Sequence, residues 1–171
     1  MRTLAERGAN ALKVRAMAAE LNVSRGSFYW HFVDIADFRA QLLRSWRDWA
    51  TDRIIRLLET EQAEPDRLKT LLSRAFVEKH DPDRSVRSLD RAIRSWAGED
   101  ADVAAAVAAV DDRRVSYISN LLAAGGVEPQ KAHDRAAFLY WAYLGQDNVM
   151  DPRHASIAAT AVAEIGDLFE T

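Results

Sequence analysis

Residues 12–32 read LKVRAMAAELNVSRGSFYWHF. Val14, Met17, Ala18 and Leu21 recur at helical spacing, which places them on one face of a short helix and turns Arg15, Ala19 and Glu20 elsewhere. Asn22 tolerates a left-handed or turn conformation, and Val23 supplies a buried anchor. The Ser24 hydroxyl can accept a hydrogen bond from an orphan amide as N-cap of a second helix. Two short helices separated by so short a break suit a helix-turn-helix.

On the second helix, at ~100° per residue, Ser24, Phe28, His31 and Phe32 group on one side, and Gly26, Ser27 and Trp30 on the other. Arg25 and Tyr29 lie on a flank. The helix is therefore expected to bury Phe28 and Phe32, to lean His31 inward, and to display Arg25, Gly26, Ser27, Tyr29 and Trp30. Such a face suits insertion into a DNA major groove. The glycine permits close approach, Arg25 can fork onto guanine or phosphate, and Ser27 and Tyr29 can donate to phosphates. The same face also fits a surface helix whose aromatics pack on neighbours, because helix-turn-helix geometry occurs outside DNA-binding proteins.

The run Val23-Ser24-Arg25-Gly26-Ser27-Phe28-Tyr29-Trp30-His31-Phe32 resembles the VSxGSxYxHF pattern of the tetracycline-repressor (TetR) family. The similarity extends upstream through AERGANALKVRAMAAELN, where Ala5 to Gly8 look like the end of the family's first helix. Arg15 matches a position that commonly touches the DNA backbone. The resemblance implies a DNA surface of Lys13, Arg15, Ser24, Arg25, Gly26, Ser27, Tyr29, Trp30 and His31. It also implies a homodimeric regulator, usually a repressor, that holds two recognition helices on double-stranded operator DNA and is released by a small-molecule effector. Two positions depart from the pattern. Only Arg2 to Arg7 precede Gly8, so the first helix is short, the chain is expected to start inside it, and it should bury little. At the start of the fourth helix the family often has a phosphate-gripping Lys and this chain has Ile35, leaving backbone amides for that contact. These departures motivate the alternative of a helical ligand-sensing or protein-interaction module with impaired DNA binding.

With 171 residues, 49% apolar and 29% charged, the chain has the composition of a soluble globular protein of one or two helical domains. No apolar run is long enough to span a membrane, and no basic-then-apolar N-terminus marks a secretory signal. The absence of cysteine excludes disulfides, thiolate metal sites and cysteine nucleophiles, and fits a cytoplasmic protein. The net charge of −3 conceals an asymmetry. Residues 1–50 hold eight Lys/Arg against five Asp/Glu, or +3, and the remainder holds fifteen against twenty-one, or −6. A basic head on an acidic body is the expected division, with residues 1–47 as the DNA-binding domain and 48–171 as the ligand-binding and dimerisation domain.

Asp34 and Asp37 cap a helix expected to run unbroken from about Ile35 to Glu59, on the stripe Phe38, Leu42, Leu43, Trp46, Trp49, Ile54, Leu57 and Leu58. A further helix starts at Pro65 or Asp66 and continues to about Lys79. His80-Asp81-Pro82-Asp83 reads as a capped turn rather than a metal site. Residues 84–97 form a helix with Val86, Leu89, Ile93 and Trp96 inward, stopped by Gly98, and an alanine-rich helix follows from about Asp100 to Ala124, stopped by Gly125-Gly126. On it, Asp111 and Asp112 are expected to form solvated pairs with Arg113 and Arg114. Aromatic-rich residues 130–146 and a last helix from Pro152 to Phe169 complete an all-α fold of about nine helices, with no strand pattern.

The four histidines lack HExxH spacing, and GxSxG, Walker and GxGxxG motifs are missing, so no enzyme, cofactor or metal is expected. A ligand pocket, for an apolar or aromatic molecule with one or two polar groups, is expected among Phe76, Ile93, Arg94, Trp96, Val110, Tyr117, Phe138, Tyr140, Trp141, Tyr143 and Gln146. The wide apolar arcs of the last two helices predict a dimer through Phe138, Ala155, Ala158, Ala159, Val162, Ile165 and Phe169, two helices from each copy forming a four-helix bundle.

Overall fold

A computed structural model describes residues 1–63, 66–76, 84–148 and 157–170. Within them the chain is all-α. Its helices are α1 (Arg2–Arg7), α2 (Val14–Glu20), α3 (Arg25–His31), α4 (Ile35–Arg47), α5 (Arg53–Glu61), α6 (Arg67–Phe76), α7 (Arg84–Ala97), α8 (Ala101–Ala124), α9 (Pro129–Gly145) and α10 (Ala159–Glu170). A 3₁₀ turn, Ala9–Ala11, follows α1 and another, Gln146–Asn148, follows α9. The expected stops hold. Gly98 lies one residue beyond α7, and Gly126 closes α8 at φ 101°, while Pro129 opens α9 as its fixed φ permits.

The long helix expected over 35–59 is interrupted. Residues Asp48–Asp52 form a π-helical turn between α4 and α5. Buried positions explain it. Leu42, Trp46 and Ala50 are spaced by four, but the next buried aliphatic side chain in the run is Ile55, five residues on, followed by Leu58. Ala50 belongs to the cluster of Leu42 and Trp46, and Ile55 and Leu58 to a separate cluster with Tyr117, so the spacing changes where the core changes, and a turn of i→i+5 bonding takes up the extra residue. The Trp49-to-Ile54 step in the sequence stripe carried the same five-residue spacing.

Contacts divide the chain into two compact units, Met1–Asp52 with Pro82–Val110, and Arg53–Asp81 with Asp111–Thr171. In the first, Leu4, Trp46, Ile93 and Val110 are 0% exposed, and Leu12, Leu89, Trp96 and Val103 join them in one core. The Arg39 guanidinium lies over the Trp96 ring at 5.4 Å, adding a cation–π contact between α4 and α7. Short as it is, α1 contributes one of the most buried side chains of the unit, contrary to the expectation that it buries little. Full burial of a leucine such as Leu4 stabilises by about 1.5–3 kcal/mol, so tertiary packing supplies what helix nucleation cannot.

The second unit packs Leu68 and Leu72 of α6, Leu122 of α8, Ala132, Ala136 and Leu139 of α9 and Val162 of α10, with Val127 beside them. A smaller cluster joins Ile55 and Leu58 to Tyr117. At Gly166 an added Cβ would stand 3.1 Å from Leu72 Cδ1, so α10 approaches α6 where it has no side chain. Helix α10 begins at Ala159, so a helix unbroken from Pro152 to Phe169 is ruled out by residues 157 and 158. Ile157 and Ala158 are non-helical, and the Val162 amide donates to the Ala158 carbonyl at 3.1 Å. The expected helix start at Asp151-Pro152, the turn at residues 80–83, and the termini at Pro65 and Lys79 lie outside the described residues, as does the Val86 side chain.

Candidate nucleic-acid interface

The turn between α2 and α3 is built locally. Asn22 takes the left-handed conformation at φ 52°, and the Val23 amide donates to the Ala18 carbonyl at 2.9 Å. Ser24 caps α3, its hydroxyl accepting the Ser27 amide at 3.2 Å with the Ser27 hydroxyl 3.1 Å away. Two side chains expected inside are not there. Leu21 is 69% exposed and Val23 47%. Helix α2 ends at Glu20 and the chain reverses at Asn22, so the helical wheel no longer governs where those residues point.

Helix α3 rests on an aromatic cluster. Phe28 lies 5.0 Å from Phe32 and 5.7 Å from Phe38 between ring centroids, and Phe32 lies 5.0 Å edge-on to Phe38 of α4. Phe28 and Phe32 are half-buried, as a small three-helix head allows. With those rings inward, Arg25, Gly26, Tyr29, Trp30 and His31 are exposed and Ser27 is half-buried. His31 thus joins the outer face instead of leaning inward. Trp30 is 89% exposed, an arrangement that costs solvation of an indole unless something outside covers it. A Cβ at Gly26 would meet only the Ser24 hydroxyl at 3.5 Å, an ordinary contact. The fold does not demand glycine there. Lys13, immediately before α2, and Arg15, on its first turn, are exposed beside this face. Val33, 84% exposed just past α3, is a border residue that the periodicity did not single out, because it follows the helix and its exposure is set by the turn.

Glu20 ties α2 to α1. It accepts from Arg7 and from the Thr3 hydroxyl at 3.3 Å, and pairs with Arg2 at 3.6 Å. At the start of α4 the Asp34 carboxylate accepts the Asp37 amide, and the Asp37 carboxylate accepts from Val33 N–H and the Gln41 amide. Donation from Gln41, and then from the Val33 amide, holds the Asp37 carboxyl below its ordinary value of 3.8. The Val33 and Asp37 amides, either side of Ile35, are thereby already bonded to carboxylates.

The residues expected to line a ligand pocket fall in both units. In the first, Ile93, Trp96 and Val110 are core, and Arg94 donates to the buried Asp90 at 2.9 Å. In the second, Tyr140 and Tyr143 stack at 6.2 Å, and the Gln146 amide donates to the Ala75 carbonyl at 3.2 Å. Phe76 is half-buried against the larger core, and Tyr117 is buried with its hydroxyl unpartnered among the described residues. Asp111 and Arg114, expected in solvated pairs, both meet a phenol of α9. The Tyr140 hydroxyl donates to Asp111 at 2.7 Å and accepts from Arg114 at 3.1 Å. Helical spacing alone could not show that α9 brings a phenol to them.

Among the residues expected at a dimer interface, Phe138 is 57% exposed and Ile165 38%, whereas Val162 is turned into the core of its own unit. Phe169 stacks on Phe138 at 5.9 Å. Ala158 is exposed; Ala155 and the Ala159 side chain lie outside the described residues. Trp141, 67% exposed, and Leu168, 71% exposed, are further apolar surface of α9 and α10.

Among the described residues no helix is long and apolar enough to cross a membrane. No curated protein matches the chain. Residues 1–42 match the family model described as bacterial regulatory proteins, tetR family. That match covers α1 to α3 and the start of α4, the elements that present the exposed face. The chain is a DNA-binding transcriptional regulator, and its helix-turn-helix head is that of the tetR family of bacterial regulatory proteins.

Proposed function

We propose that the protein is a homodimeric repressor, held on double-stranded operator DNA by residues 1–47 and released by a small-molecule effector bound within residues 48–171. The observation that carries the reading is the outer face of α3, where Arg25, Tyr29, Trp30 and His31 are exposed around a glycine that the fold itself does not need. Arg25, Ser27 and Tyr29 contact phosphates or base edges, Lys13 and Arg15 contact the flanking backbone, and Ser24 fixes the start of the helix. In a dimer, two such helices enter successive major grooves ~34 Å apart.

The dimer face we assign is Phe138, Ile165 and Phe169, extended by the exposed Trp141 and Leu168. An apolar patch of that kind is what an interface between copies covers. The effector site we assign draws on Phe76, Tyr117, Tyr140, Tyr143 and Gln146 of the second unit, where the buried Tyr117 hydroxyl lacks a protein partner among the described residues. An effector shifts the equilibrium only by its preference for the state in which the heads no longer match the grooves, and a switch from 1:99 to 99:1 needs ~5.5 kcal/mol of such preference.

The carboxylates of Asp34 and Asp37 favour a second reading, a ligand-sensing or protein-interaction module with impaired DNA binding, since both occupy the end of α4 where phosphate would dock. A mobility-shift assay on the DNA upstream of the chain's own coding region separates the two. A retarded complex that a metabolite dissolves supports the repressor, and no retardation at micromolar protein supports the module.

A further inference from the structure

Inside the first unit, between α1 with its following turn and α7, lies a cleft of about 320 Å³. Leu4 and Trp96 line it from the core side. Its walls are polar: Arg7 and Asn10 on one side, Ser88, Arg91 and Ser95 on the other, and Glu99 just beyond α7. Where α1 and α7 meet simply to exclude water they use Leu4, Leu89 and Ile93, so the change to cationic and hydroxyl side chains marks the cleft as something other than packing. Gly8 lines it as well, at φ 72° and ψ 178°, a conformation essentially closed to other residues. A Cβ added there would meet nothing within 4 Å, so the space beside that backbone is open.

We propose that this cleft binds a small organic oxyanion, a carboxylate or phosphate that also carries hydroxyl or amino groups. Arg91 and Arg7 supply guanidinium donors for the anionic end, which a planar fork binds with geometric specificity. Asn10, Ser88 and Ser95 hydrogen-bond the neutral groups. Glu99 accepts from a hydroxyl or ammonium and repels a bare polyanion. The volume matches the lower end of small-molecule sites. Arg7 also donates to Glu20 of α2, so a ligand here is one side chain from the helix-turn-helix and braces α1 against α7. This site lies in the unit that carries the DNA-binding head and does not depend on the effector site assigned above.

The test is hydrogen–deuterium exchange and titration calorimetry on the full chain without DNA, with glycerol 3-phosphate, gluconate, inorganic phosphate and sodium chloride at matched ionic strength. The expected result is slowed exchange over residues 2–12 and 88–99 with glycerol 3-phosphate or gluconate and none with sodium chloride. Whichever of the two organic anions binds more tightly identifies the group that is read. Arg91→Gln should weaken that binding by about tenfold or more, the loss of a charge-assisted hydrogen bond. Ser95→Phe, at an exposed position of α7, should fill the cleft and abolish it, and Asn10→Leu serves where either variant fails to fold. Binding by inorganic phosphate alone, protection confined to other segments such as the exposed cations of α2 and α3, or unchanged affinity in the variants would overturn the proposal.

Discussion

The Asp34 carboxylate accepts the backbone amide of Asp37 at 2.8 Å, and the Asp37 carboxylate returns a bond to the amide of Val33 at 3.1 Å. This reciprocal cap stabilises the first turn of α4 and places two negative charges at an end that a DNA phosphate would otherwise favour. Asp34→Ala should cost about 1 kcal/mol of stability, measured by urea denaturation. Asp34→Ser keeps a capping oxygen and removes the charge. It should preserve stability and tighten operator binding, and equal or weaker binding by the Ser variant would show that the α4 terminus does not approach phosphate.

Arg25 is the exposed cation on the first turn of α3. If it contacts a phosphate, Arg25→Ala should reduce the slope of log affinity against log salt by about 0.9, weakening all sequences alike. A loss confined to one base position, with the slope intact, would instead place the guanidinium on a guanine edge. No change in either quantity would remove Arg25 from the interface.

Val162 lies in its own unit's core, and so charge there would unfold the protein rather than report on assembly. The informative positions are Ile165 and Leu168, both exposed on α10. Sedimentation at micromolar concentration should show a dimer for the natural sequence and a monomer for Ile165→Glu/Leu168→Glu, because an interface does not accept buried unpaired carboxylates. Helix content should be unchanged. A monomer in both would refute the proposed face.

Tyr117 is buried, and its hydroxyl lacks a hydrogen-bond partner among the described residues. Tyr117→Phe should therefore leave stability unchanged at pH 8 or raise it by about 1 kcal/mol, since an unsatisfied buried group is costly. Burial first, and then the Glu59 carboxylate, push the phenol's pKa above its ordinary 10.0. The folded state then holds its proton where the unfolded chain has lost it. Stability from this group is intact below pH 10.0 and declines as the pH rises from there through the folded value. The advantage of the Phe variant in denaturant midpoint should thus widen above pH 10. A variant less stable at both pH values would show that the hydroxyl has a partner.

Much of the head was legible in the chain itself. The Ser24 cap, the left-handed Asn22, the inward Phe28 and Phe32, and the helix stops at Gly98 and Gly126 all depend on residues within a turn or two of one another. A local signal suffices where the cause is local. The outer face of α3 followed from the same periodicity, apart from the exposed His31 and the half-buried Ser27.

Tertiary structure alone decided the rest. Leu4 is fully buried because Trp46, Leu89 and Ile93 surround a six-residue helix that propensity would leave unformed. The π-helical turn at Asp48–Asp52 keeps Ala50 and Ile55 both buried, which needs the cores on either side of it to be known. Tyr140 reaches Asp111 and Arg114 only because α9 packs beside α8, and Val162 faces inward while Ile165 faces out because α6 lies against one side of α10. Periodicity reveals that a helix has an apolar face. Which parts of a wide apolar face meet a neighbour, and which remain for another molecule, is set by contacts between residues far apart in the chain.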